Sequence, residues 1–411
     1  MPEPHARAPR DVLITGIGLV TPLGDTLSQC AAALYGSAPV FTAVATQHAR
    51  AVPGARVASD VDAGLSRGEA QLADRSVRLA LRAADRALLH AGFNAALQPP
   101  PGCGVYVGCG SGPTESLHAV YSQLLHKGRM SGLALLRCLP SGAAAAVALR
   151  HGLRGPVQTY ANACAASATA LGEALRAIRH SYLDVALAGG TEAPFGDATV
   201  RAWEALRVLA PLDEEAPAQA CRPFDRRRRG LALGEGAVFF VLEAAEHAAA
   251  RGAPVLARLA GFGASGDGSH ATEPRAEGQA DAMRAALHDA RLQPQHIGAI
   301  NAHGTATPVG DRVEAESIAS VFGPPERAPW VSATKATHGH LLGASGAIEL
   351  AMAVLTLHTR RAPPTRHAEE PDPACAVRLA VAPAPALSAD CAVLSNSFAF
   401  GGSNACLVVT A

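Results

Sequence analysis

Short apolar runs alternate with longer Ala-rich stretches along this chain, and the alternation occurs twice. Runs at 12–15, 105–107, 157–160 and 185–188 are short enough to read as buried strands, and 76–91 and 168–180 read as helices. The second half reads as strands at 255–262, 297–301, 330–332 and 391–395, with helices at 277–290, 311–322 and 345–359. This is the α/β pattern, buried strands joined by helices. The order also matches between halves. The run at 157–160 leads into Cys164 and then a helix; the run at 330–332 leads into Lys335 and then a helix. The run at 185–188 ends in Gly189-Gly190, and that at 391–395 leads to Gly401-Gly402. A duplicated α/β unit is expected, joined around 243–254, with halves at 1–250 and 251–411. Two unrelated α/β domains are the plainer alternative.

Composition narrows the function. With 411 residues, 49% of them hydrophobic, the chain can bury a large core. A formal net charge of zero gives no global field to recruit nucleic acid or a membrane. Met1 to Arg10 is polar and Pro-rich, and no window of 18 apolar residues is evident, so a cytoplasmic protein is expected. Nine cysteines without CxxC pairs point to free thiols, not to a disulfide frame or a zinc site. Pro-rich stretches at 96–101 and 361–388 read as loops, and the RPFDRRRR cluster at 222–229 as a solvated or salt-bridging loop. Of 35 basic side chains only Lys127 and Lys335 are lysine. In so Arg-biased a chain, a lysine marks a place where a compact point charge is needed and a planar fork fails.

Three segments fit one piece of chemistry. Cys164 follows a strand, opens a helix and is trailed by Ala165, Ala166, Ser167 and Ala168, which leave room for a bulky substrate. A helix N-terminus favours thiolate and offers N–H groups to a thioester oxygen. His303 and His340 each adjoin a glycine in a non-helical turn, and a neutral imidazole can donate to a developing negative oxygen or accept a proton. His338 competes with His340, and spacing does not choose between them. No metal is expected: His338 and His340 form an i, i+2 pair with no acidic or sulfur ligand nearby in sequence. The glycine clusters match no phosphate loop, and Gly343-Ala344-Ser345-Gly346 is not a nucleophile elbow.

These residues resemble the elongating β-ketoacyl-acyl-carrier-protein synthases, condensing enzymes of the thiolase-fold superfamily. The likeness runs from Ile14-Thr15-Gly16 to Gly401-Gly402-Ser403-Asn404 and rests on NAHGTATPVGD (301–311), SATKATHGHLLGASGAIE (332–349) and SNSFAFGGSN (395–404). Thiolases proper carry a second cysteine in the C-terminal glycine loop, where this chain has Phe400-Gly401-Gly402. Initiating enzymes use Cys-His-Asn, whereas Cys-His-His points to decarboxylative elongation. The resemblance implies a five-layered αβαβα fold of two duplicated halves and an acyltransferase that makes 3-oxoacyl thioesters. Cys164 would hold the acyl chain; His303 and His340 would bind the malonyl thioester and stabilise its enolate. Lys335 would set the local electrostatics and pair with Glu349. The N–H groups of Cys164 and Phe400 would form the oxyanion hole, with Phe400 as gate. Thr305 and Thr307 would line the pantetheine tunnel beside Gly401 and Gly402, Asp311 and Glu314 would support the site, and Pro113 and Leu136 would fall near the acyl pocket and dimer contact.

No cofactor is implied beyond the phosphopantetheine of acyl carrier protein. That carrier is the expected partner, docked on Arg67, Lys127, Arg129 and Arg207, with a homodimer or a heterodimer with a related subunit as the assembly. The sequence departs from the family twice. The gate reads Ala399-Phe400-Gly401 where Gly-Phe-Gly is common, and Ala165-Ala166-Ser167 stands where housekeeping enzymes often carry Thr-Ser-Gly. These departures leave fatty-acid, polyketide and polyene pathways open. A non-catalytic chain-length subunit would lack the nucleophile, and Cys164 is present.

Overall fold

The computed structural model describes residues 9–38, 40–46, 49–213 and 216–411. Among the described residues thirteen strands run in chain order: β1 Val12–Val20, β2 Thr42–Val44, β3 Val52–Ala55, β4 Gly104–Gly108, β5 Val157–Tyr160, β6 Val185–Glu192, β7 Leu233–Gly234, β8 Gly236–Ala244, β9 Ala257–Gly266, β10 Ile297–Asn301, β11 Trp330–Ser332, β12 Ala392–Ala399 and β13 Ser403–Thr410. Ten of them join in the order β11-β10-β12-β13-β9-β1-β8-β6-β4-β5, and β2-β3-β7 form a small separate sheet. Within the large sheet β1 meets β9 at only two positions, Leu13↔Arg258 and Ile14↔Ala257. On either side of that seam the arrangement is the same. Counted from its own first strand, each half has the order 3-2-4-5-1, with two parallel pairings (β4–β5 and β4–β6; β10–β11 and β10–β12) and the rest antiparallel.

The repeat extends to how helices sit on the strands. Helix Arg75–His90 starts at Asp74, whose side chain caps the Ser76 amide, and lays Ala80, Ala83, Ala84 and Ala87 against the sheet. It comes so close to β1 that a Cβ on Gly18 would stand 1.9 Å from the Ala83 carbonyl oxygen. Helix Ala276–Ala290 treats β9 the same way: a Cβ on Gly263 would stand 2.1 Å from the Ala282 carbonyl oxygen. Alanine and glycine are what such close helix-on-strand contact requires, which accounts for the Ala-rich composition. Each fully buried Leu, Ile or Phe behind these contacts stabilises the fold by about 1.5–3 kcal/mol.

Between the two five-stranded parts lie helices Ala166–Arg179 and Ser345–Thr359, which complete five layers, α-β-α-β-α. They cross where Gly346 meets Ala168; a Cβ on Gly346 would fall 2.7 Å from the Ala168 Cβ. The stretch 342–359 is long and apolar enough to cross a membrane, contrary to the sequence reading, but 89% of it is buried inside the protein as the central helix. Sequence reading also passed over β8 and β13. All nine β8 residues are buried, and an apolar run without alternation has no strand period to detect. The stretches 96–101 and 361–388 contain no helix or strand, as expected. In the 222–229 cluster Arg226, Arg227 and Arg228 are ion-paired to Glu370, Asp225 and Asp372, the salt-bridging reading.

Candidate active site

Cys164 sits in the single turn Ala163–Ala165 that leads β5 into helix Ala166–Arg179. Ala163 holds φ at +48°, a left-handed conformation that costs a non-glycine residue on the order of 1–3 kcal/mol and recurs at functional sites. The turn aims the sulfur across the seam at the other half. There the β10 exit supplies His303, and the segment after β11 supplies Lys335 and His340. His340 Nε2 lies 3.0 Å from Cys164 Sγ. The His303 and His340 rings meet edge to face, centroids 5.4 Å apart at 83°.

The hydrogen bonds fix which ring nitrogen carries the proton. Leu342 N–H donates to His340 Nδ1 at 3.3 Å, and a backbone N–H can only donate. His340 Nδ1 therefore accepts, with Ser345 Oγ beside it at 2.8 Å. Lys335 Nζ approaches His303 Nδ1 at 3.4 Å, and an ammonium likewise only donates. Burial first, then the Lys335 charge, holds both imidazoles well below the usual histidine range. Both rings are thus neutral with Nε2–H, two hydrogen-bond donors at the site. Cys164, His303 and His340 place ligand atoms within 4.8 Å of one another, a spacing a metal ion would tolerate. The tautomers oppose it, because Nε2 then presents a proton instead of a lone pair.

His338 is excluded by its own contacts. It is fully buried, donates from Nδ1 to the Gly339 carbonyl at 2.7 Å and meets Thr334 Oγ1 through Nε2 at 3.0 Å. Gly339, at φ +76°, ends the short helix Lys335–His338 and turns His340 toward the sulfur. Lys335 is fully buried, donates to the His303 carbonyl at 2.5 Å and forms an ion pair with Glu349. Burial pushes the Glu349 carboxyl up while Lys335 pulls it down. Burial pushes Cys164 up to about 12, with Lys335 pulling against it, so the sulfur keeps its proton.

Two acids brace the loop after β10. Glu314 accepts from the His303 and Gly304 amides at 2.8 and 2.7 Å and from Asn396 Nδ2 at 3.2 Å. Asp311 accepts from Phe224 and Ala306 amides at 2.8 and 3.0 Å, and burial raises it to about 7. A cavity of about 440 Å³ opens from Cys164, His303 and His340 past Thr305, Thr307, Phe398, Phe400 and Gly402 to Trp203, Arg207 and Arg229 at the surface. Phe400, 36% exposed, stacks on Trp203 with centroids 6.1 Å apart. Gly401, Pro113, Leu136, Arg67, Lys127 and Arg129 lie outside its lining; the last three are exposed, and Pro113 precedes helix Thr114–Lys127. Sequence reading missed Ser345 and Trp203. The second had a signal, since the chain holds only two tryptophans.

This fold is that of a condensing enzyme, and Cys164, His303 and His340 cluster where its two halves meet. The β-ketoacyl synthase N-terminal domain matches residues 9–248 and the C-terminal domain matches 256–369, and the chain belongs to that family of acyltransferases. Nodulation protein E of Rhizobium sp. (strain N33) is 39% identical over 404 residues, 97% of this chain and 98% of that protein. The 3-oxoacyl-[acyl-carrier-protein] synthase 2 of Staphylococcus aureus (strain COL) is 36% identical over 406 residues, 97% of each chain. Among solved structures, a β-ketoacyl synthase from Burkholderia phymatum STM815 superposes with a TM-score of 0.90 at 33% identity, covering 98% of this chain and 99% of that one. The ishigamide ketosynthase/chain length factor gives 0.88 at 28%, again over 98% and 99%.

Proposed function

We propose that this chain extends an acyl group by two carbons at the expense of a malonyl thioester. Cys164 takes the acyl group from acyl carrier protein, forming a cysteine thioester and freeing the carrier's thiol. Malonyl carrier then enters, its thioester oxygen between His303 and His340. Breaking the bond to the carboxylate releases carbon dioxide and leaves an enolate. Its carbon attacks the acyl-cysteine, and the tetrahedral oxygen is held by the N–H groups of Cys164 and Phe400. Collapse gives the 3-oxoacyl carrier and returns the sulfur, which regains a proton. The observation that carries this reading is the pair of neutral Nε2–H histidines beside one sulfur. Charge on the enolate oxygen appears only as carbon dioxide leaves, so the donors favour the transition state over the bound substrate. Burial, reinforced by the Lys335 charge, keeps both rings neutral. Thr305, Thr307, Gly401 and Gly402 serve the pantetheine arm. The decisive test is mass spectrometry of Cys164 after incubation with carriers bearing saturated and polyunsaturated chains, together with carbon dioxide release from malonyl carrier. No adduct on Cys164 from any carrier would sink the reading.

The assembly belongs to the same proposal. Large exposed apolar side chains concentrate between 117 and 139, among them Tyr121, Leu125, Leu135 and Leu136, and β5 ends the large sheet among the described residues. Such a patch calls for a partner. We assign it to a second copy, with Pro113 and Leu136 at the contact and the acyl pocket. Ketosynthase structures in complex with a chain length factor, one at TM-score 0.84 and 25% identity, favour a related subunit as the second reading. Light scattering on the purified chain, alone and co-expressed, separates the two. Carrier docking on Arg67, Lys127, Arg129 and Arg207, a cytoplasmic location, no cofactor beyond the carrier's arm, and a division of the halves at residue 250 complete the proposal.

A further inference from the structure

One arginine of the 222–229 cluster differs from its neighbours. Arg226, Arg227 and Arg228 each hold an acidic partner. Arg229 is exposed, lines the cavity that contains Cys164, and has no ion-pair partner among the described residues. Arg207 shares all three properties. The two segments run side by side. Leu209 and Leu231 form a parallel bridge, with Leu231 N–H donating to the Val208 carbonyl and Ala210 N–H to the Leu231 carbonyl. Arg207 and Arg229 each lie two residues upstream of this bridge, and both line the same cavity. The approach is close: a Cβ on Gly230 would stand 2.5 Å from the Val208 carbonyl oxygen, and Gly230 has φ +135°.

Two like charges lining one cavity mouth without an ion-pair partner repel, and an anion seated between them removes that cost. Other groups around the same cavity set the sign of its mouth. Asp311 and Glu314 are buried and already bound to backbone amides. Glu273 is exposed and is the remaining carboxylate of the lining. Pro308, Val309 and Gly310, the first turn of helix Pro308–Phe322, also line the cavity and add the partial positive charge of a helix N-terminus. The hydroxyls of Thr272, Thr305 and Thr307 border the same space.

We infer that Arg207 and Arg229 form a two-arginine clamp for the phosphodiester of the phosphopantetheine arm, at the mouth of the cavity whose floor is Cys164. The inference rests on the proposed carrier-dependent acylation of Cys164. A guanidinium pair matches a phosphate through paired N–H donors, and the neutral amides of the arm then run down the threonine-lined wall. The clamp fixes how far the thioester reaches, so it acts on substrate positioning and not on the bond-making atoms.

The test compares two small thioesters that differ only in the phosphate, hexanoyl-pantetheine and hexanoyl-phosphopantetheine, as acyl donors to Cys164. The wild type should favour the phosphorylated donor in kcat/KM by about tenfold or more. Arg229→Ala and Arg207→Ala should each cut that preference about tenfold, Arg229→Lys should keep part of it, and added salt should narrow it. Arg229→Gln with a wild-type thermal midpoint guards against a folding defect. No preference in the wild type, or equal losses on both donors in the variants, overturns the clamp. A loss seen only with intact carrier protein overturns it too, by leaving Arg207 with the protein-docking role alone that is proposed above and adding Arg229 to it. Failure of the wild type to accept either donor refutes instead the acylation reading on which the clamp depends.

Discussion

The two halves build the same turn and put it to opposite use. In one, β5 passes through Ala163–Ala165 into helix Ala166–Arg179; in the other, β11 is followed by Leu342–Ala344 and helix Ser345–Thr359. Ala163 and Leu342 both adopt left-handed φ, +48° and +45°. The next residue is Cys164 in the first turn and Gly343 in the second. Each faces a strand end of the opposite half. Cys164 looks into the cavity bordered by Phe398, Ala399 and Phe400 and by the two histidines. Gly343 looks at Glu192, which accepts the Gly343, Gly110 and Ser111 amides at 3.0, 2.7 and 3.1 Å. A Cβ on Gly343 would stand 2.0 Å from the Gly110 nitrogen. The turn is therefore a mounting, and what the other half presents decides whether it carries chemistry or only closes packing.

Making the first turn inert like the second gives the largest effect. Cys164→Ala should abolish condensation while malonyl decarboxylation persists, followed as product and carbon dioxide; near-normal condensation would end the assignment of the nucleophile. Next come the groups only the second half supplies. His303→Ala and His340→Ala should still acylate Cys164 by mass spectrometry yet lose about 10²–10³ in decarboxylation. A crippled His338→Ala beside a normal His340→Ala would reverse the choice made from their contacts. Lys335→Arg should lose more than about tenfold in rate, because a fully buried ammonium site has no room for a planar fork; full activity would show that its charge alone matters. Gly343→Ala should leave chemistry in the folded fraction intact but cost about 1–3 kcal/mol through overpacking against Gly110, read as a lower thermal midpoint. An unchanged midpoint would mean the closed turn has slack.

Acidity sharpens the same contrast. Both active-site imidazoles are held well below 6.5 by burial and Lys335. They stay neutral as pH falls through 6.5, so decarboxylation should not drop there through histidine protonation. The unfolded chain does take up those protons, so stability should decline as pH falls below about 6.5. A rate that titrates near 6.5 would place one ring in contact with water.

What the sequence disclosed was local. Cys164 stood out because small residues follow it, and Lys335 because lysine is so scarce. The matched order of strands and helices disclosed the duplication. What stayed hidden depended on distant contacts. His338 and His340 are two residues apart, and only the break at Gly339, with the Leu342 amide on His340 Nδ1, separates their positions and contacts. β8 and β13 carry no alternation because both faces are covered. Arg207 and Arg229 are 22 positions apart, and only the folded chain, with its bridge between Leu209 and Leu231, places both on the lining of one cavity.

The seam through the active site also orders events in time. His340 follows Cys164 by 176 residues. At about 5–20 residues per second of synthesis, the thiol leaves the ribosome roughly 9–35 s before the imidazole that faces it. During that interval the nascent chain carries its cysteine without Lys335 or either donor. On the mechanism proposed above, it has no donor pair for decarboxylation until its last third has folded back, so a chain stalled before His303 would spend no malonyl thioester.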